Sequence, residues 1–483
     1  MRMRAMGAIG LSAATALTAV ALSPVTATAA TPAATSAAKH RTFADFNGDG
    51  YPDLAISATE ATVGAPQQAG AVSVAYGSAA GIGKTGTQLL TRADLGGGEA
   101  PEAGGRWGVI KGFGDLDGDG FDDLVVANSP GEGRTWVLWG GKKGLSGGVL
   151  LAVNAGTTPH ALDYWSLHVG DTDGDGIADL VGSITRSGSS GTVAAGFGVV
   201  RGPLTRSGGF KPVQYRETFT RDDAAPHGFV IADFTGDGRP DLGAISAKSW
   251  AQSLMVYKNT GSGWTASRKI ALPGDRYMWM RPVVGDINGD GIQDMVLGHR
   301  WTYTDPFGKI FVAYGGKEGF STTLKPRLID EDTPGVPGLV ERQDKWGEAR
   351  ALADVDKDGY ADLAVGAPYK DAQGGTVSRA GSVTILRGGP KGLTTTGART
   401  VTQATTGVPS TSEKQDRFGE ALAWVDGDRN GTPELYVGGP GEDGKAGRVW
   451  QLPAGTGTGA TSFNLKDTGH PSGPALFGGQ FEG

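Results

Sequence analysis

Cysteine is absent from the 483 residues. That excludes disulfides, thiolate zinc sites, iron–sulfur clusters, cysteine nucleophiles and acylation at a lipobox cysteine together. Histidine is scarce, and the six residues (His40, His160, His168, His227, His299, His470) are scattered without ligand spacing. Positive charge is outnumbered, with a formal net charge of −7. This argues against nucleic acid and anionic membranes as main partners. Long apolar runs are also missing beyond the first residues. What abounds is glycine, 83 residues, which calls for many tight turns rather than many helices.

The one long apolar stretch, Ala5 to Leu22, follows Arg2 and Arg4 and precedes Ala27-Thr28-Ala29-Ala30. A basic start, an apolar middle and an A-x-A site make a secretory signal peptide. The stretch is long enough for a membrane anchor. Its Ala/Thr/Gly-rich make-up and the small residues directly after it favour cleavage. Residues 1–30 are read as the signal and 31–40 as a linker. The mature protein is expected to be secreted, with no membrane span after cleavage.

Self-similarity dominates the rest. Asp45, Asn47, Asp49, Gly50 and Asp53 recur as Asp115, Asp117, Asp119, Gly120 and Asp123, then as Asp171, Asp173, Asp175, Gly176 and Asp179. The fourth copy is Asp233, Thr235, Asp237, Gly238 and Asp241; the fifth is Asp286, Asn288, Asp290, Gly291 and Asp294. Asp354, Asp356, Asp358, Gly359 and Asp362 follow, and Asp426, Asp428, Asn430, Gly431 and Glu434 close the series. First positions lie 53 to 72 residues apart. Oxygens at positions 1, 3 and 5 of a tight loop converge on one point. Glycine at position 6 permits the turn, and a carboxylate at position 9 closes the shell. Hard oxygen donors without His or Cys select Ca²⁺, up to seven structural ions; Mg²⁺ would demand a compact octahedron. By charge, the second, third and sixth loops should bind tightest and the fourth, with Thr235, weakest. An EF-hand needs Glu at position 12, where this chain has Ile56, Val126, Gly182, Ala244, Leu297, Val365 and Val437. These lie in short apolar runs that read as strands.

Downstream come further apolar runs that end in glycine turns, such as Val74-Ala75-Tyr76-Gly77, Val137-Leu138-Trp139-Gly140 and Val312-Ala313-Tyr314-Gly315. Each unit holds four short strands around the ion loop, which is the anatomy of a propeller blade rather than of an open solenoid. The expected fold is all-β, a seven-bladed β-propeller of four-stranded antiparallel blades. It spans 41–465, with blades at about 41–103, 104–160, 161–222, 223–275, 276–342, 343–414 and 415–465.

Trp346-Gly347 and Phe418-Gly419 stand eight residues before a first ligand, and Gly366-Ala367-Pro368 and Gly438-Gly439-Pro440 follow the second strand. This pattern resembles the FG-GAP repeat of integrin α heads, found also in secreted bacterial proteins. The resemblance implies a Ca²⁺ loop between the first two strands of each blade, with ligands docking mainly on the opposite face. Blade two has Trp107-Gly108 but Asn128-Ser129-Pro130, and blades three to five have neither half clearly. Blade one has Ala37-Ala38 where the aromatic–glycine pair belongs. The tail 466–483 carries Phe477-Gly478 and is expected to supply that pair and close the ring on blade one, unless its Gly/Thr/Ser-rich approach leaves it disordered.

Two catalytic-looking matches are discounted. Gly144-Leu145-Ser146-Gly147-Gly148 fits G-x-S-x-G but lies in a repeated turn with no helix to follow. Gly81, Gly83 and Gly86 likewise mark a turn. The better ligand candidates are Tyr277, Trp279, Arg300, Trp301, Tyr303 and Phe307, expected on the face opposite the loops, although the aromatics would also suit packing between blades. The expected function is an extracellular binding or adhesion module, a monomer that meets a protein or glycan ligand. The alternatives are a secreted hydrolase or lyase acting on carbohydrate or ester substrates, since propellers host such enzymes, and a purely structural surface protein.

Overall fold

The computed structural model describes residues 43–483, except 85, 129–133, 152–159, 163–165, 189–190, 211–212, 218–222, 249–250, 274–279, 300–306 and 471–472. The signal and linker therefore lie outside the described residues.

The described chain folds into seven antiparallel sheets. In blade six, Arg350–Ala353 is innermost, and Asp362–Ala367, Ser382–Arg387 and Thr394–Val401 follow outward. Blades two, five and seven repeat this order. The sequence cause is a gradient of hydrophobicity. The second and third strands of blades one and two, Leu54–Ala58 with Ala71–Ala75 and Asp123–Asn128 with Thr135–Trp139, are buried along their whole length. Both faces are covered, so they read as continuous apolar runs rather than as alternation. The outermost strand Ser146–Leu150 is largely exposed and correspondingly polar and glycine-rich.

Blades three and four differ. Their second and third strands form long hairpins, Asp179–Gly188 with Gly191–Val200 and Asp241–Lys248 with Ala251–Asn259. Blade three's inner strand is split into His160–Leu162 and His168–Gly170. These long hairpins stand where blades six and seven carry Gly366-Ala367-Pro368 and Gly438-Gly439-Pro440.

The core is seven clusters, one between each pair of successive blades. The last joins blade seven to blade one: Tyr436, Val449 and Phe477 pack against Leu54 and Ile56. The C-terminal strand Phe481–Glu482 pairs with Ala55 and Ile56 and is the innermost strand of blade one. Phe477 bridges Gly447 in parallel, as Phe418 bridges Gly381 and Trp107 bridges Gly70. A Cβ on Gly447 would lie 2.2 Å from the Phe477 carbonyl, so only glycine allows this approach.

Candidate metal centres

The seven acidic loops join each blade's inner strand, or in blade one the segment ending at Ala44, to its second strand. Each is held by the same hydrogen bonds. The position-1 carboxylate accepts the backbone N–H of the position-6 glycine, at 3.0 Å from Gly50 and 2.8 Å from Gly120, Gly176, Gly291 and Gly431. Gly238 and Gly359 donate likewise at 2.7 and 2.9 Å. Position 5 accepts from the N–H of position 7, from Tyr51 to Asp49 through Thr432 to Asn430. Position-6 glycines sit at φ +81 to +91°, and position 4 is left-handed as well, including Lys357 at +62° and Arg429 at +56°. The sequence reading missed position 4, although glycine fills it in five of the loops.

The position-9 carboxylate has a second task. In blade one, Asp53 accepts the Phe46 N–H at 2.8 Å with one oxygen and the Gly77 N–H at 2.9 Å with the other. The same pair of bonds holds Asp123, Asp179, Asp241 and Asp294. This residue therefore ties the start of the loop to the end of the third strand. Burial pushes these carboxyls up, against the hydrogen bonds that lower them: Asp53 to about 7, Asp123 to about 8 and Asp294 to about 7. Burial likewise moves Asp179 and Asp362 to about 6 and Glu434 to about 7. Their ionised forms are short of solvation, the condition a bound cation relieves.

The donor set fits a hard cation. One carboxylate oxygen each of Asp115, Asp117 and Asp123 lie within 4.8 Å of one another, as do those of Asp171, Asp173 and Asp179 and of Asp354, Asp356 and Asp358. In blade seven, Asp426 Oδ1 is buried and accepts no hydrogen bond among the described residues. All donors are oxygens, as alkaline-earth ions require.

The inner strands enclose a cavity of about 980 Å³, lined among others by His168, Arg281, Glu348, Arg350, Glu420 and Glu482. Arg350 donates to the Glu348 carbonyl at 2.8 Å and to the Arg281 carbonyl at 2.9 Å, and Arg281 Nη1 lies 2.9 Å from His168 Nδ1. Glu348 and Glu420 pair with Lys345 and Arg417 at 2.9 and 3.5 Å. Sequence reasoning singled out none of these. For Arg281, Glu348, Arg350 and Glu420 the signal was charge four to six places before a first loop ligand, at or just ahead of an inner strand.

Of the aromatic candidates, Tyr277, Trp279, Arg300, Trp301 and Tyr303 lie outside the described residues. Phe307 is 36% exposed. Ser146 of the G-x-S-x-G match begins an outer strand, so no strand-to-helix elbow forms there.

Fold and loops together define a seven-bladed β-propeller with an acidic loop in every blade. An FG-GAP-like repeat model matches residues 115–182 and 233–297, and an FG-GAP repeat model matches 42–74 and 346–386. FG-GAP repeats are thus matched over those segments, and the chain is similar to integrin α subunits. It is 27% identical over 257 residues to integrin alpha pat-2 of Caenorhabditis briggsae, covering 50% of this chain and 20% of that protein. It is 26% identical over 218 residues to the phosphatidylinositol-glycan-specific phospholipase D of Rattus norvegicus, covering 43% and 24%. The chain therefore spans no more than a quarter of these relatives' length. The solved rhamnogalacturonan lyase YesW aligns with a TM-score of 0.31 and 13% identity, over 67% of this chain and 63% of that one. No helix among the described residues is long and apolar enough to cross a membrane.

Proposed function

We propose that this chain is a secreted, calcium-stabilised propeller that works as an extracellular binding module. One observation carries the reading: the same oxygen-lined loop recurs in all seven blades with the same backbone geometry, at the base of strands that form the core. An ion there is structural. With a dissociation constant near ~10⁻⁴ M and calcium near ~1 mM, each site adds about 1.4 kcal/mol. Seven would add on the order of 10 kcal/mol, comparable with the net stability of a whole domain. Secretion is supported by the leading signal pattern. The FG-GAP resemblance supports ligand docking on the face opposite the loops, and charged side chains such as Arg281, Glu348 and Arg350 line the cavity. The ligand class proposed is a protein or glycan.

Two measurements test this. Chelation of the mature chain should lower its melting temperature by ten degrees or so, and added Ca²⁺ should restore it; a melt indifferent to chelator would sink the calcium reading. A glycan and matrix-protein array probed with the calcium-loaded chain should return a specific ligand. A blank array would remove the binding reading.

A further inference from the structure

Position 3 of the loop is Asn47, Asp117, Asp173, Thr235, Asn288, Asp356 and Asp428 along the seven blades. Three of the four aspartates are met by an arginine. Arg206 places Nε 2.5 Å from Asp117 Oδ2 and Nη2 2.6 Å from Asp119 Oδ2. Arg201 pairs with Asp173 and lies 3.7 Å from Asp179 Oδ2. Arg387 pairs with Asp356 and lies 2.9 Å from Asp362 Oδ2.

The arginines belong to the repeat. Arg201 and Arg387 occupy one position in their blades, directly before the glycines (Gly202 and Gly388) whose N–H groups reach the position-9 carboxylates. Blade two has Trp139 there, and Arg206 reaches over from blade three, its guanidinium 5.7 Å from the Trp139 ring centre. Blades one and five, with Asn47 and Asn288 at position 3, have Tyr76 and Tyr314, whose hydroxyls bond to Gln88 and to the Leu393 N–H. In blade seven, Asp428 accepts from Asn430 Nδ2 at 2.9 Å instead. An extra carboxylate is thus accompanied by a guanidinium in three of four loops. Counted over positions 1, 3, 5 and 9 alone, the arginine brings the loops of blades two, three and six to the net charge of those of blades one and five; Asp122 adds a further negative charge in blade two and Lys357 a positive one in blade six.

We propose that Arg201, Arg206 and Arg387 are built-in competitors for the loop cation. Each holds the position-3 carboxylate while the ion is away and is displaced when it binds. The proposal rests on the loops being cation sites. It reverses the ranking that charge alone suggests: blades two, three and six bind no tighter than their three-carboxylate neighbours, and their loops keep their shape without an ion. The same side chains reach both the position-3 oxygen and, in blades three and six, the position-9 oxygen, which are two of the ligands a cation would need.

Ca²⁺ alone is titrated calorimetrically into the chelator-stripped full chain and into Arg201→Gln/Arg206→Gln/Arg387→Gln. Three sites should tighten by about fivefold each, the value of an exposed ion pair. The stripped variant should melt below the stripped wild type, while the calcium-saturated melts coincide. A folded variant with unchanged or weaker Ca²⁺ binding overturns the proposal while leaving the calcium reading intact. A wild-type chain that takes up no Ca²⁺ overturns both. Should the triple variant fail to fold, the single Arg206→Gln chain gives a local readout. The Trp139 share of the fluorescence, taken by difference from Trp139→Phe, should respond to Ca²⁺ in the wild type and be silent in Arg206→Gln. A Trp139 signal that ignores Ca²⁺ in the wild type, or that responds equally in both, overturns the proposal.

Discussion

Where an outer strand ends and the chain turns toward the next blade, one side chain is buried in the seam, and its chemistry changes from blade to blade. The turns are alike: Thr91, Asp330, Thr402 and Asn464 each donate their N–H to a side-chain oxygen three residues on. The next residue is Arg92, Glu331, Gln403 or Leu465, each at most 5% exposed. Each has its own match. Arg92 pairs with Glu99 and with Glu102 at 2.9 Å; Glu331 meets Lys370 at 2.8 Å; Gln403 donates to Glu442 at 2.7 Å; Leu465 shares an apolar cluster with Ala61. Glu331 is the strained member. Burial, and then the neighbouring Asp344, push its carboxyl up to about 9 in spite of Lys370. The folded state therefore favours the protonated form, and the stability this contributes is complete below the usual carboxylate range and lost as pH rises towards about 9. Glu331→Gln copies the protonated form and the residue of the next seam. Thermal melts from about pH 5 to about pH 9 should show the variant gaining on the wild type as pH rises, by on the order of 1–3 kcal/mol at the alkaline end. Parallel pH profiles would refute this. None of these pairings was legible in the sequence, because the partners lie 39 residues apart for both Glu331 with Lys370 and Gln403 with Glu442, and nothing local marks either as buried.

Among elements, the final strand carries a burden out of proportion to its two residues. Without it the second strand of blade one, Leu54–Ala58, would present an open edge to the cavity. Around it, the Ser57 carbonyl accepts the Gly478 N–H at 3.1 Å, the Ser57 N–H donates to Gln480, and Gln480 Oε1 accepts the Ile110 N–H from blade two at 3.1 Å. Truncation after Ala475 removes all of these together with the fully buried Phe477 ring. Loss of that ring alone, as in Phe477→Ala, should destabilise by about 3–5 kcal/mol. The truncated chain should melt several degrees lower or unfold in two steps by calorimetry; a single unshifted transition would show that the strand is dispensable. Elements were the most legible scale in the sequence. The loops recur with a fixed internal spacing, and the strands beside them are short apolar runs that no helix period fits. Phe477-Gly478 could be read by its likeness to Phe418-Gly419. Blades three and four were harder to read, since their long hairpins replace the motif, and only Asp171 to Asp179 and Asp233 to Asp241 mark them.

For the whole molecule, the acidity of the sequence misdescribes the folded surface. The seven loops hold nearly half of the 51 acidic residues, and the formal charge is −7 before any ion is counted. Several of those carboxylates are not free charge at all: Arg201, Arg206 and Arg387 neutralise some, and burial favours protonation of Asp53, Asp123 and Asp294. Seven divalent ions would more than offset the remainder and leave the loaded propeller cationic. Net charge governs association and retention on charged surfaces without bearing on the fold. The chelator-stripped chain should therefore be retained on an anion exchanger near neutral pH, and the calcium-saturated chain should pass through unretained. Partial occupancy predicts an intermediate elution that moves stepwise with calcium concentration, and each step counts loops filled. Identical elution with and without calcium would mean that the loops take up too little ion to alter the molecule's sign. In that case the acidic surface itself, rather than the loaded one, is what a partner would meet.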